Sequence, residues 1–89
     1  MQLTLEISLY PLANMQFEDE IWDFLRRLRN HEELKVDTNG VSTLVYGDYD
    51  DVMQKVMAEI KQTHEEVNSA IFIVKMLAKD RSTFKDKLA

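Results

Sequence analysis

Leu34-Lys35-Val36-Asp37-Thr38-Asn39-Gly40-Val41-Ser42-Thr43-Leu44-Val45-Tyr46-Gly47-Asp48, and onward to Met57, reads as strand, tight turn, strand, stop and helix. Leu34 to Thr38 alternates apolar and polar residues, and Val41 to Tyr46 is a second strand-like run. Asn39-Gly40 between them predicts a hairpin with a type I′ turn, because that turn needs positive φ at both central residues. Gly47 breaks the pattern. Asp48 is placed to cap a helix whose first turn holds Asp50 and Asp51. Val52, Met53, Val56, Met57 and Ile60 form its apolar stripe, with Lys55, Glu59, Gln62, Glu65 and Glu66 on the wet side and Asn68 at its end.

One strand-then-helix unit precedes this stretch. Leu3, Leu5, Ile7 and Leu9 alternate with Thr4, Glu6, Ser8 and Tyr10, a strand with one buried face that ends near Pro11. From about Met15 the period becomes helical: Phe17, Ile21, Phe24, Leu25 and Leu28 share a face, and Asn14 is placed to cap it. Glu18, Asp19 and Glu20 in the first turn and Arg26, Arg27 and Arg29 in the last both favour the helix dipole. Trp22 lies off the stripe, at the core edge or in an interface. One strand follows, Ser69 to Leu77, apolar on both alternating sets except at Lys75.

The order β-α-β-β-α-β with right-handed crossovers predicts an α+β, ferredoxin-like sandwich. Its four-stranded antiparallel sheet should run 4-1-3-2 with both helices on one face. The domain should span residues 1–81. Residues 82–89 form a tail in which Phe84 and Leu88 are spaced for a short helix. At 89 residues, a domain buries only roughly 60–65% of its unfolded surface.

The chain has 11 Lys and Arg against 16 Asp and Glu, for a net charge of -5. Without a basic run it is a poor match for nucleic acid or an anionic membrane, and it suits a cationic ligand. It contains no Cys, so disulfide and thiolate chemistry are excluded. Residues from Gln2 onward alternate unlike a signal peptide, and no apolar run approaches a membrane span, so a cytoplasmic protein is expected.

Catalytic signals are lacking. His31 and His64 sit in a helix exit and late in a helix, without a spaced partner. Asp48-Tyr49-Asp50 begins like a calcium loop, but Val52 and Met53 stand at the fifth and sixth positions, where a ligand and a Gly are needed. Gly40 and Gly47 fit no phosphate-cradling pattern. No catalytic residue, metal ligand or cofactor is therefore expected, and Met53, Met57 and Met76 read as core filler.

Ile7-Ser8-Leu9-Tyr10-Pro11-Leu12, Val41 through Asp48, Asp51-Val52-Met53 and Lys79-Asp80-Arg81 together resemble the YkoF-like family of thiamine- and hydroxymethylpyrimidine-binding proteins and its single-repeat relatives. The resemblance implies a ferredoxin-like fold, self-association, and in some members binding of thiamine or its pyrimidine without catalysis. An aminopyrimidine offers an amine donor and ring-nitrogen acceptors, which hydroxyl and carboxylate groups match. A thiazolium suits a carboxylate or an aromatic face. Glu6, Ser8 and Tyr10 on the first strand, with Ser42 and Thr43 on its expected neighbour, are the candidate ligand-binding residues, forming a polar patch on the sheet. The alternative is a ligand-free oligomerisation or regulatory module in which those residues are ordinary strand formers.

Self-association also follows from the fourth strand. Thr4, Glu6 and Ser8 tolerate a wet second face, but either Ile71, Ile73 and Leu77 or Phe72, Val74 and Met76 must lie uncovered. A homodimer or dimer of dimers, through the open sheet face or the fourth-strand edge, would cover them. The C-terminal tail folding back through Phe84 and Leu88 is the other solution.

Overall fold

The structure, a computed structural model, describes residues 1–11 and 17–84. Its elements are β1 (Gln2–Pro11), α1 (Phe17–Arg29), β2 (Lys35–Thr38), β3 (Thr43–Asp48), α2 (Tyr49–Glu66) and β4 (Ala70–Ala78). The four strands form one antiparallel sheet in the order β2-β3-β1-β4. This is the ferredoxin-like βαββαβ sandwich. The expected Asn14 cap and the helix start near Met15 lie outside the described residues, as does Leu88.

Alternation along β1 sorts the two faces. Leu3, Leu5 and Ile7 are buried toward the helices, where they meet Phe24 and Leu28 of α1 and Val52 and Val56 of α2. Register extends that face across the sheet. Leu5 pairs Val45 on one side and Met76 on the other, and Leu9 pairs Phe72. The Phe24 and Phe72 rings lie 5.1 Å apart, joining α1 to the edge strand. Met57 and Met76 are exposed at the periphery, contrary to their reading as filler, because each lies where a layer runs out of partners. Trp22 is half-exposed on the outside of α1.

The hairpin departs from the expected turn. Thr38 pairs Thr43, so Asn39 to Ser42 form a four-residue loop, and Gly40 has no positive φ. Asn39 Oδ1 instead accepts from the amides of Val41 (2.7 Å) and Ser42 (3.0 Å). A side chain that closes the turn itself removes the need for left-handed backbone. Gly47 does not break β3 either: it pairs Leu3 within the strand. A Cβ there would stand 3.0 Å from the Glu33 carbonyl oxygen and 3.1 Å from Val52 Cγ2, so close approach explains this glycine.

Asp48 caps α2 by accepting from the Asp50 amide at 3.2 Å. The helix stops at Val67, one residue before the expected Asn68, with the Val67 amide donating to the Thr63 carbonyl. Glu59, read as wet, is largely enclosed between the helices. Arg27 Nη1 donates to its Oε1 at 3.0 Å and to its carbonyl at 3.1 Å, and Arg27 Nη2 donates to Thr63 Oγ1 at 2.7 Å. His31 Nε2 meets Glu59 Oε2 at 2.7 Å. Lys55, also read as wet, bridges Glu33 and Asp51, each at 3.4 Å. The Glu33 carboxyl is held below the usual range by a backbone hydrogen bond first and by Lys55 second.

On the outer sheet face, Thr4 is only 1% exposed, not wet as expected. Lys79 (φ 76°) turns the chain back over it. Thr4 Oγ1 donates to the Lys79 carbonyl at 2.9 Å and accepts from the Arg81 amide at 3.0 Å. Beyond this clasp the expected alternation holds: Phe72 and Val74 pack inward, while Ile71, Ile73 and Leu77 are exposed. Phe84 is 79% exposed, so the described part of the tail leaves them uncovered.

Candidate functional site

The sheet and α1 part slightly at the hairpin end, where β3 stops at Thr43 but β1 continues to Pro11. The gap is a cavity of about 140 Å³. Ile7, Leu9, Ile21, Phe24 and Leu25 form its apolar walls. Ser8, Thr38, Asn39, Ser42 and Thr43 supply the polar side of its mouth. The architecture dictates this division. The walls come from the inward positions of β1 and the stripe of α1, and the mouth comes from the last rung of β2–β3 and the loop beyond it.

Of the five candidate residues, Ser8, Ser42 and Thr43 line this cavity. They do not form one patch, because strand neighbours face opposite ways. Thr43 pairs Ile7 and is buried on the helix side, where its hydroxyl lies 2.8 Å from that of Thr38. Ser8 pairs Ile73 and Tyr10 pairs Ile71, which puts both side chains on the outer face, Tyr10 beyond the cavity. Glu6 is on the same outer face. Its Oε2 accepts from Ser42 Oγ at 3.1 Å and its Oε1 lies 3.5 Å from Lys75 Nζ. Ser42 thus links the cavity mouth to an outer-face carboxylate.

Sequence reasoning missed Thr38 and Asn39, read as strand end and turn, and the walls, read as plain core. The alternation of β2 was the available signal: Thr38 shares a face with Val36, the inward residue of that strand.

A second, more open groove of about 260 Å³ lies at the opposite end, lined by Glu32, Glu33, Lys35, Tyr46 and Asp80 among others. Lys35 Nζ lies 5.7 Å from the Tyr46 ring centroid. Burial first, then Asp37 and Asp80, push the Tyr46 phenol above its ordinary range. Hydrogen bonds from Ser82, and more weakly the charge of Lys35, keep Asp80 below the usual carboxylate range.

Among the described residues, no three His, Asp or Glu side chains come together as a metal site. Both histidines have structural partners: His31 meets Glu59, and His64 Nε2 meets the Ala70 carbonyl at 3.0 Å. No helix among these residues is long and apolar enough to cross a membrane.

The profile of the YKOF-related family matches residues 2–79. No curated protein matches the sequence significantly. Among solved structures, protein SP2199 from Streptococcus pneumoniae superposes with a TM-score of 0.83 at 17% identity, covering 99% of this chain and 98% of that one. A Thermotoga maritima protein, TM0486, described provisionally as a thiamine biosynthesis/salvage protein, gives 0.78 at 14%, covering 89% and 85%. The hypothetical protein MJ1052 from Methanocaldococcus jannascii gives 0.75 at 19%, covering 89% and 81%. At these identities the likeness is one of fold.

Proposed function

The chain belongs to the YKOF-related family, and from that footing we propose that it is a non-enzymatic binding protein for thiamine or its hydroxymethylpyrimidine moiety. The observation that supports this reading is the hairpin-end cavity. Its apolar walls and hydroxyl-bearing mouth suit a flat heterocycle with polar edges. Its volume, about 140 Å³, is close to the roughly 150 Å³ that accepts one benzene ring. One ring fits, so the pyrimidine of thiamine enters and the thiazolium stays at the mouth. Glu6, hydrogen-bonded to Ser42 at the mouth, serves the cation, in place of Lys75. Ser8 and Tyr10 border the protruding part on the outer face. The thiamine-related description of the Thermotoga structure agrees with this ligand class.

A thermal-shift series with thiamine, hydroxymethylpyrimidine and unrelated heterocycles tests the reading. Ligand at a hundred times its dissociation constant stabilises by about 2.7 kcal/mol. Thr43→Val then weakens binding by about 0.5–1.5 kcal/mol, the worth of one neutral hydrogen bond, with the melting temperature of the free protein as control. Flat melting curves at millimolar ligand leave the ligand-free module as the better reading.

Self-association belongs to the same proposal and to a cytoplasmic protein. Ile71 and Ile73 are 46% and 54% exposed on an edge strand, a surface that a second copy buries most simply. Light scattering at tens of micromolar should give a dimer or tetramer mass, and Ile73→Lys should return it to monomer. A monomer mass for the unaltered chain rejects the self-association.

A further inference from the structure

We propose that Thr38 and Thr43 act as one recognition unit, reading a heterocycle edge on which a ring-nitrogen acceptor stands beside an exocyclic N–H donor. The inference rests on the binding reading above and adds to it both a residue, Thr38, and the ligand feature that is recognised. The two threonines are register partners on the last rung of β2–β3, and both line the cavity. Their oxygens are 2.8 Å apart, and either one is able to donate. Each hydroxyl has one hydrogen and two lone pairs. One hydrogen is spent within the pair. The threonine that accepts it keeps its own hydrogen, and the threonine that gives it keeps only lone pairs. Such a pair shows the cavity one donor and one acceptor side by side, at a spacing that suits adjacent atoms of an amidine-type edge.

Other polar groups at the mouth are engaged in part or turned away. Ser42 donates its hydrogen to Glu6. Asn39 gives its carboxamide oxygen to two backbone amides. Ser8 points to the outer face. Thr38 has one further neighbour, the Ser42 carbonyl, at 3.5 Å, the outer limit of a hydrogen bond. Reversing the internal bond exchanges donor and acceptor, so the pair accepts the edge in either order. An edge with two acceptors or two donors forfeits one of the two hydrogen bonds, which costs affinity.

Calorimetry on the full chain tests this with 4-amino-5-hydroxymethyl-2-methylpyrimidine and its analogue carrying methyl in place of the amine. The amine-to-methyl change should weaken binding to the unaltered protein about 2- to 10-fold, the equivalent of one neutral hydrogen bond. Thr38→Val should weaken binding of the amino compound by a similar factor and abolish discrimination between the two compounds. Thr38→Ser, which keeps the hydroxyl, should retain both affinity and discrimination. Unaltered affinity in Thr38→Val, or a Thr38→Ser protein as weak as Thr38→Val, overturns the inference while the binding reading stands. Should Thr38→Val fail to fold, equal affinity of the unaltered protein for the two compounds overturns it alone. Absence of binding by the unaltered protein at millimolar pyrimidine removes both.

Discussion

Replacing Phe24 with alanine is expected to cost the fold about 3–5 kcal/mol, the range for truncating a buried aromatic. Phe24 is 2% exposed and is the side chain through which α1 reaches the edge of the sheet. Its ring meets Phe72 at 5.1 Å with the planes tilted by 58°, and the Arg27 guanidinium lies 5.9 Å from its centroid. Such ring pairs contribute about 0.5–1.5 kcal/mol beyond their buried area. A chain of 89 residues has a total stability of about 4–13 kcal/mol at typical values per residue, so this one substitution removes a large share. Phe24 also walls the hairpin-end cavity, which its loss should enlarge. Urea titration of Phe24→Ala should show the midpoint moving sharply down. A loss under about 1 kcal/mol means that the α1–β4 joint does not carry the core.

The second large effect is expected at Glu59. Its carboxylate accepts from Arg27 and meets His31, and its own carbonyl accepts from Arg27 as well. Arg27 and Glu59 side chains are 15% and 14% exposed, and Arg27 Nε is buried with no hydrogen-bond partner. Glu59→Ala leaves this guanidinium half-satisfied in a place that water barely reaches. Hydrogen bonds to charged groups are worth about 1.5–3 kcal/mol, and a loss of about 2–3 kcal/mol should follow. Because the pair is sheltered, most of that loss should persist in 1 M salt. Asp23→Ala, which removes exposed pairs to Arg26 and Arg27, should cost less than about 1 kcal/mol. Equal, small effects for the two substitutions would mean that the helix–helix clamp is no tighter than an ordinary surface pair.

The architecture was legible in the sequence because periodicity reports burial directly. Leu3, Leu5 and Ile7 against Glu6 and Ser8 sufficed to orient β1, and Asp48 was recognisable as a cap from its context alone. The departures have a common origin in interactions between distant residues. Nothing near Thr4 indicates that Lys79 and Arg81 will claim its hydroxyl. Nothing near Glu59 announces Arg27 and His31, which arrive from α1 and the segment just after it. Asn39-Gly40 has two competent solutions, left-handed backbone or a side-chain turn, and the choice depends on where the strands pair. That choice also governed the candidate site. A two-residue turn and a four-residue loop leave different residues on the last rung, and the Thr38–Thr43 contact exists only with the latter. Glu6 and Ser42 could be named from chemistry, but their contact could not, since it depends on the β1–β3 register. The cavity walls were hidden for a simpler reason: Ile21, Phe24 and Leu25 are as apolar as any core residues.

The clasp at Thr4 bears on how the chain comes to be folded. Its partner carbonyl is 75 positions away, and β1, the first strand of the sheet, lies between β3 and β4. A growing chain therefore exposes Leu3, Leu5 and Ile7 on a strand with neither edge paired until β3 emerges, and with one edge open until β4 does. At about 5–20 residues per second, the interval between the first and last strands is about 4–15 s. Contacts of such separation also slow the search in a finished chain, since loop closure precedes the reward. Strand β1 is thus the segment in most need of protection during synthesis, although it becomes the best-covered strand of the finished sheet.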